Sequence, residues 1–129
     1  MDSRLPENEL VIGVLAGGGA AAFPVETAAP SPTQGAVGGV PVVVLEDAGG
    51  IPSLAYHRAL SDGRLFDFDR AVEVGSIVDV QTDSRWSSAG LALEGELAMV
   101  QLTFVTSFLT EWYGWAVFHP DTAIWDPDD

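Results

Sequence analysis

Short apolar runs separated by turn residues dominate the chain. Residues 10–15 form a β-branched run that ends at three glycines (17–19), and residues 20–25 have the composition of a hairpin partner. Pro24 places that partner at a sheet edge, because proline cannot donate to a strand ladder. Residues 40–45 are the most apolar stretch and predict a central strand.

The second half of the chain continues this pattern with shorter runs. Residues 65–69 alternate strictly, with Phe66 and Phe68 on one side, after an Asp-Gly turn. Further short strands are predicted over 76–81, 85–88 and 91–93. Many short strands with frequent turns predict a mainly β fold, either barrel-like or a sandwich of short antiparallel strands.

One helix is expected near the C-terminus. Thr110 has the side chain of an N-cap residue, and Trp112, Trp115 and Phe118 lie three apart on one apolar stripe. Pro120 ends the helix. The pattern therefore adds one C-terminal α-helix to the β fold.

The length indicates one domain over residues 1–129. Residues 26–39 are rich in Ala, Pro, Ser, Thr and Gly and predict a long flexible loop, which is either a lid or a tolerated connection. Residues 126–129 form an acidic tail. The N-terminus has no basic-then-apolar signal and the apolar runs are short, so a cytoplasmic location and no membrane span are expected.

The net charge of the chain limits the classes of molecule that it is expected to bind. Five arginines, no lysine and 19 acids give a formal net charge of −14, which repels nucleic acid and anionic membranes. Acids of this kind are usually a solubilising shell, and cations, basic partners or a neutral ligand all remain open. No cysteine is present, and the two histidines lie far apart in sequence, so neither a thiol, a metal site nor a cofactor is expected.

The order of several motifs resembles a known family. The closing motif, Trp-x-x-Trp-x-x-x-His-Pro-Asp-Thr, is the most specific, because six defined positions recur at fixed spacing. The matching segments are Ala-Phe-Pro-Val (22–25), Val-Gly-Gly-Val-Pro-Val (37–42), Asp-Gly-Arg (62–64), Ser-Arg-Trp-Ser (84–87) and Trp-Tyr-Gly-Trp-Ala-Val-Phe-His-Pro-Asp-Thr (112–122). Together they resemble the bacterial and archaeal family called domain of unknown function 3179, over residues 10–125.

The departure from that family falls in one turn. The resemblance implies a Cys-Pro-x-Cys pair, and this chain has Asp47 and Gly50 in the corresponding places. A thiol or metal role of that pair therefore does not transfer. The family has no well-established activity, so the resemblance implies fold and ancestry with an altered site.

Asp47, Tyr56 and His57 are the candidates for acid–base catalysis. Asp47 follows Glu46, and adjacent carboxylates raise each other's pKa, although such a turn is more often a solvated one. His57, flanked by Tyr56, has the chemistry of a general base, although a strand histidine is more often simply hydrogen-bonded. His119, before a proline, is expected to cap the helix end.

Aromatic residues supply the candidates for ligand binding. Arg85 beside Trp86 has the chemistry to clamp a carboxylate, but an ion pair with Asp69, Asp79 or Asp83 is the simpler expectation. Aromatic side chains line most ligand cavities, and they also fill most cores. The residues concerned are Trp86, Trp112, Trp115 and Phe118.

Two classes of function follow. The first is a module that binds a small apolar molecule or a protein partner, with a homodimer allowed through an edge strand at 20–25. The alternative is a small cofactor-independent enzyme of the cyclase or isomerase type, with an aromatic-lined cavity and Asp47, Tyr56 or His57 as its polar group. An enclosed cavity distinguishes the enzyme from a closed core.

Overall fold

The computed structural model describes residues 3–28, 32–46, 52–70 and 77–126. Within them the chain forms three four-stranded sheets, so the mainly β fold with a helix near the C-terminus is confirmed. The strands are β1 (Leu10–Ala16), β2 (Gly19–Pro24), β3 (Thr33–Val37), β4 (Val40–Glu46), β5 (Pro52–His57), β6 (Phe68–Arg70), β7 (Ile77–Asp79), β8 (Arg85–Trp86), β9 (Ala92–Glu94), β10 (Phe104–Val105), β11 (Ser107–Glu111) and β12 (Ala123–Ile124). The helices are α1 (Val25–Ala28) and α2 (Trp112–Phe118).

The sheets stack as layers, which is the sandwich form of the prediction. The first sheet has the order β11-β1-β2-β12, the second β10-β5-β4-β3 and the third β6-β7-β8-β9. Successive side chains on a strand point to opposite faces. On β4, Val42 and Val44 therefore pack toward the first sheet, whereas Val43 and Leu45 pack toward the third. α2 covers the outer face of the first sheet, against Val11.

Two glycine turns hold the first and second sheets together. Gly17 and Gly18 join β1 to β2, and Gly38 and Gly39 join β3 to β4. Positive φ values at both central residues of each turn are those of type I′ hairpins. A Cβ at Gly17 would overlap the carbonyl oxygen of Gly38, so the two turns contact each other backbone to backbone.

The predicted loop over 26–39 was wrong in two places. α1 begins at Val25, and β3 pairs with β4 along its whole length. Thr33 and Val37 are buried, so β3 is stabilised by its contacts with β4. The small and polar residues of this segment give no local indication of those contacts. That 1–129 forms one domain stays a prediction, and the tail beyond Asp126 lies outside the described residues.

The edge predicted at residues 20–25 was also wrong. β2 has β1 on one side and β12, running parallel, on the other. β12 pairs with Ala21 and Ala22, so Pro24, which pairs with Val11 of β1, lies beyond the end of the pairing with β12. The proposed dimer edge is thus covered by the chain itself.

The helix ends before Pro120 as predicted, but it differs from the prediction in its N-cap residue and in the exposure of Phe118. Its N-cap residue is Glu111, not Thr110, and the N–H groups of Trp112 and Tyr113 donate to the carbonyls of Glu9 and Glu7, each at 2.8 Å. Trp112, Trp115 and Ala116 are buried, but Phe118 is 81% exposed. Six residues advance about 600° around a helix, so position 118 leaves the stripe that position 112 defines. Among the described residues, no helix is long and apolar enough to cross a membrane.

Candidate functional site

Two grooves meet at the C-terminal end of α2. Both include Phe118 and His119, and we call this region the His119 corner. The larger groove, about 660 Å³, is completed by Leu15, Ala16, Gly18, Gly19, Ala20, Pro120, Asp121 and Thr122. The smaller groove, about 490 Å³, is completed by Phe108, Thr110, Gly114 and Trp115. Both volumes are in the range of small-molecule sites.

A tryptophan lying directly on a strand backbone forms the base of the corner. Trp115 packs over Gly13 of β1, where a Cβ would overlap the six-membered ring of the indole. Its Nε1 donates to Thr122 Oγ1 at 2.8 Å, and Thr122 Oγ1 donates in turn to the carbonyl of Ala123 at 3.0 Å. The helix and the segment after it are therefore held together through one indole.

His119 lies at the junction of the two grooves. Its backbone N–H donates to the carbonyl of Trp115 at 2.9 Å, and its imidazole lies 4.2 Å from the Trp115 ring centroid. A neutral imidazole offers one donor and one acceptor to a neighbouring ligand. The predicted contact with the helix end is thus made by the backbone, whereas the side chain stacks on Trp115 at the mouth of both grooves. The sequence signal for such a role was its place in the closing motif.

The smaller groove is mainly aromatic. Phe108, on β11, meets Trp115 edge to face with centroids 5.5 Å apart and is 46% exposed. Phe118 is more exposed still, and the Thr110 hydroxyl and the His119 imidazole add the polar side-chain groups. An exposed aromatic side chain beside a concave apolar surface is typical of a binding site.

Tyr56 and His57, two of the three predicted catalytic residues, do not face the same space. Tyr56 and His57 are neighbours on β5, so their side chains point to opposite faces of the second sheet. Tyr56 is 5% exposed and contacts Phe104 edge to face, and burial raises the pKa of its hydroxyl. The backbone N–H of His57 donates to the carbonyl of Thr103 at 2.9 Å. Asp47 lies outside the described residues.

The predicted ligand-binding residues separate into two groups. Trp115 and Phe118 line the smaller groove, and Trp112 is buried behind them, with the Arg4 guanidinium 5.2 Å from its ring centroid. Trp86 is buried between the second and third sheets, two layers away from α2. Arg85 Nη1 lies 3.8 Å from Glu94 Oε2, across β8 and β9, which is an ion-pair partner that the sequence did not indicate.

Trp86 belongs to a closed polar network. Its Nε1 donates to Asp79 Oδ1 at 2.8 Å, and the other carboxylate oxygen accepts from the N–H and Oγ1 of Thr82, at 2.6 and 2.8 Å. Ser84 Oγ lies 2.6 Å from Thr82 Oγ1 and accepts from the N–H of Leu97. Asp79 and Ser84 have no solvent-exposed surface, so this network stabilises the fold and offers nothing to a ligand.

A second polar cluster joins the second and third sheets. Arg58 Nη1 donates to Asp67 Oδ1 at 3.0 Å, and Gln34 bonds both backbone groups of Phe68, at 2.8 and 3.0 Å. Gln81 bonds Asp67 at its backbone and at its carboxylate. These bonds connect β3 to β6, and the residue that follows β5 to the residue that precedes β6. Among the described residues, no group of three or more His, Asp or Glu side chains has the arrangement of a metal site.

Comparison with known families places the chain. Residues 1–122 match the model of the family described as Protein of unknown function (DUF3179). The chain belongs to this family. No curated protein and no solved structure matches it.

The family match and the His119 corner coincide. The matched region ends at Thr122, the last residue of the closing motif and the acceptor for Trp115. In this DUF3179 chain that motif therefore builds both the helix that covers the first sheet and the walls of the two grooves. The chain has no cysteine, and Asp47 and Gly50, which stand where the resemblance implies the cysteine pair, lie outside the described residues.

Proposed function

We propose that this protein binds a small, largely apolar molecule at the His119 corner. The observation that carries the proposal is the exposure of Phe118, 81%, in the wall between two grooves. α2 buries both of its tryptophans, Trp112 and Trp115, and leaves Tyr113 half exposed, whereas the ring of Phe118 is the most exposed aromatic group of the helix and is not explained by packing. Covering it removes apolar surface from water, which stabilises a complex by about 25 cal/mol per Å².

The polar groups of the corner limit what the ligand carries. Thr110 provides one hydroxyl, and His119 provides a donor and an acceptor. Both lie at the rim of an aromatic surface formed by Phe108, Trp115 and Phe118. This arrangement suits an apolar body with a single polar group, because few polar side chains fix orientation while the rings supply contact area.

Binding of a neutral fluorescent dye tests this proposal. N-phenyl-1-naphthylamine is expected to bind at one site, and Phe118→Ala to weaken it about tenfold, equivalent to about 1.4 kcal/mol. Leu93→Ala is the matched control, since Leu93 is 53% exposed on β9 of the third sheet. Saturable binding that Phe118→Ala leaves unchanged would place the dye elsewhere and overturn the proposal. No saturable binding would overturn it in favour of the protein partner.

A second candidate is the cofactor-independent enzyme, and the position of His119 favours it. Its imidazole borders both grooves, so it has the place of an acid or base beside a bound apolar substrate. Native mass spectrometry of the protein purified from host lysate would supply the ligand. The enzyme hypothesis then expects conversion of that ligand to be lost in His119→Gln while dye binding stays; binding without conversion by the unaltered protein would contradict it.

A further inference from the structure

We propose that the ligand is a soft organic cation of the quaternary-ammonium class, held against the rings of the smaller groove. This inference rests on the proposed function and specifies the chemistry of its polar group. It is carried by the aromatic lining of the groove, by cation–ring contacts elsewhere in the chain and by the charge of the protein.

The lining of the smaller groove is matched to such a cation. Phe108, Trp115 and Phe118 contribute rings, and none of the described residues that line this groove is an arginine, lysine, aspartate or glutamate. The face of an aromatic ring carries negative electrostatic potential and attracts a cation by about 0.5–2 kcal/mol. A quaternary ammonium is the cation best suited to a site without a carboxylate, because its methyl groups replace N–H donors and need no acceptor.

The same helix already holds a cation on an indole. The Arg4 guanidinium lies 5.2 Å from the Trp112 ring centroid, and Arg64 lies 5.7 Å from the ring of Phe66. Two of the chain's five arginines therefore use aromatic faces. Trp112 is covered in this way, whereas Phe118 and Phe108, on the groove side, keep exposed surface.

The charge of the protein favours a cation over an anion. The formal net charge is −14, and no arginine or lysine is found among the described residues that line the two grooves. Asp121 is exposed and lines the larger groove, which shares Phe118 with the smaller one. Arg4, which donates to the backbone carbonyl of Thr122 at 2.9 Å, lies beside the Trp112 ring. A carboxylate or phosphate ligand would find no bidentate partner in the lining and a repulsive field around it.

Choline and its neutral isostere 3,3-dimethyl-1-butanol test the inference, because they differ in charge and not in shape. Titrations followed by NMR are expected to show choline binding about tenfold tighter at low salt. Phe118→Leu keeps an apolar side chain and removes the ring, so it is expected to weaken choline about fivefold and the isostere by less than about twofold. Leu93→Ala is expected to change neither.

The outcomes separate this inference from the proposed function. Equal binding of choline and its isostere, both weakened by Phe118→Ala, would overturn the cation while leaving the apolar site intact. Absence of choline, isostere and neutral dye from the groove would overturn both proposals. Choline binding that is lost in Asp121→Asn but unchanged in Phe118→Leu would show that a carboxylate holds the cation, and would also overturn the inference.

Discussion

Two tryptophans of this protein use the same device for different ends. Trp86 and Trp115 are both buried, and each indole N–H donates at 2.8 Å to a side-chain oxygen seven residues away. The acceptor of Trp86 is the carboxylate of Asp79, and that of Trp115 is the hydroxyl of Thr122. A similar hydrogen bond therefore anchors both halves of the fold.

The two indoles differ in how far their surroundings are shielded from water. Around Trp86, the third sheet and Leu97 exclude water, and Asp79 accepts further bonds from Thr82. A buried carboxylate without this saturation would be costly, so the network tolerates little change. Trp115, by contrast, lines the smaller groove together with the exposed ring of Phe118. The comparison separates a motif that fixes architecture from one that also presents a surface.

The largest expected effect is in the closed region. Asp79→Asn replaces an acceptor oxygen by an N–H₂ group facing donors, and is expected to lower the free energy of unfolding by about 3 kcal/mol. Asp83→Asn, the same charge change at an exposed residue four positions away, is the control and is expected to stay within about 0.5 kcal/mol. Urea unfolding measures both. Equal losses in the two variants would show that the carboxylate of Asp79 has no special role.

The next effect falls at the open corner. Gly13→Ala places a methyl group against the Trp115 ring and is expected to cost about 2 kcal/mol and to weaken dye binding, since the indole must shift. Gly114→Ala, the same substitution at a glycine of α2, is the control. A Cβ there has no neighbour closer than 3.9 Å, so helix propensity dominates and stabilises by about 0.8 kcal/mol. Changes of the same sign would contradict this account of Trp115.

How much of the fold was predictable depends on how local its causes are. β1 and β4 were predicted because β-branched runs favour strands almost regardless of context. β3 was missed because its residues become a strand only by pairing with β4, and Gly35 is small because the Trp125 indole lies against it. The cause in that case is a partner distant in sequence, which local composition does not reveal.

The candidate site was predictable only in part for the same reason. The spacing of Trp112 and Trp115 indicated a packed helix face, which the structure shows. That Phe118 leaves that face follows from helix geometry, whereas the position of the His119 ring beside Trp115 follows from where the helix ends and from the contact of Trp115 with Gly13. Those are tertiary facts, so the aromatic count indicated a cavity without indicating which rings line it.

A smaller effect is expected at the acceptor of Trp115. Thr122→Val keeps the shape of the side chain and removes its oxygen, leaving a buried indole N–H without an acceptor, at a cost of about 1.5 kcal/mol. Thr122→Ser restores the oxygen and is expected to recover most of that loss. Urea unfolding gives the energies, and NMR hydrogen exchange of the Trp115 indole N–H reports the bond itself. Unchanged exchange in Thr122→Val would show that the hydroxyl does not hold the ring.

The smallest expected effect distinguishes the two regions by pH. Burial between the second and third sheets raises the pKa of Tyr56 above its ordinary value of 10.0, so the folded state keeps this proton to higher pH than the unfolded state. The stability that results is fully present below pH 10 and is lost as pH rises through the raised pKa. Tyr56→Phe removes the titrating group without removing the ring, so its urea midpoint is expected to fall less steeply on the alkaline side.

Tyr113→Phe, at a tyrosine of α2 that is 51% exposed, is the control and should follow the unaltered protein. If Tyr56→Phe and the unaltered protein lose stability in parallel, ionisation of Tyr56 does not cause the alkaline loss of stability. The closed region would then not differ from α2 in its response to pH.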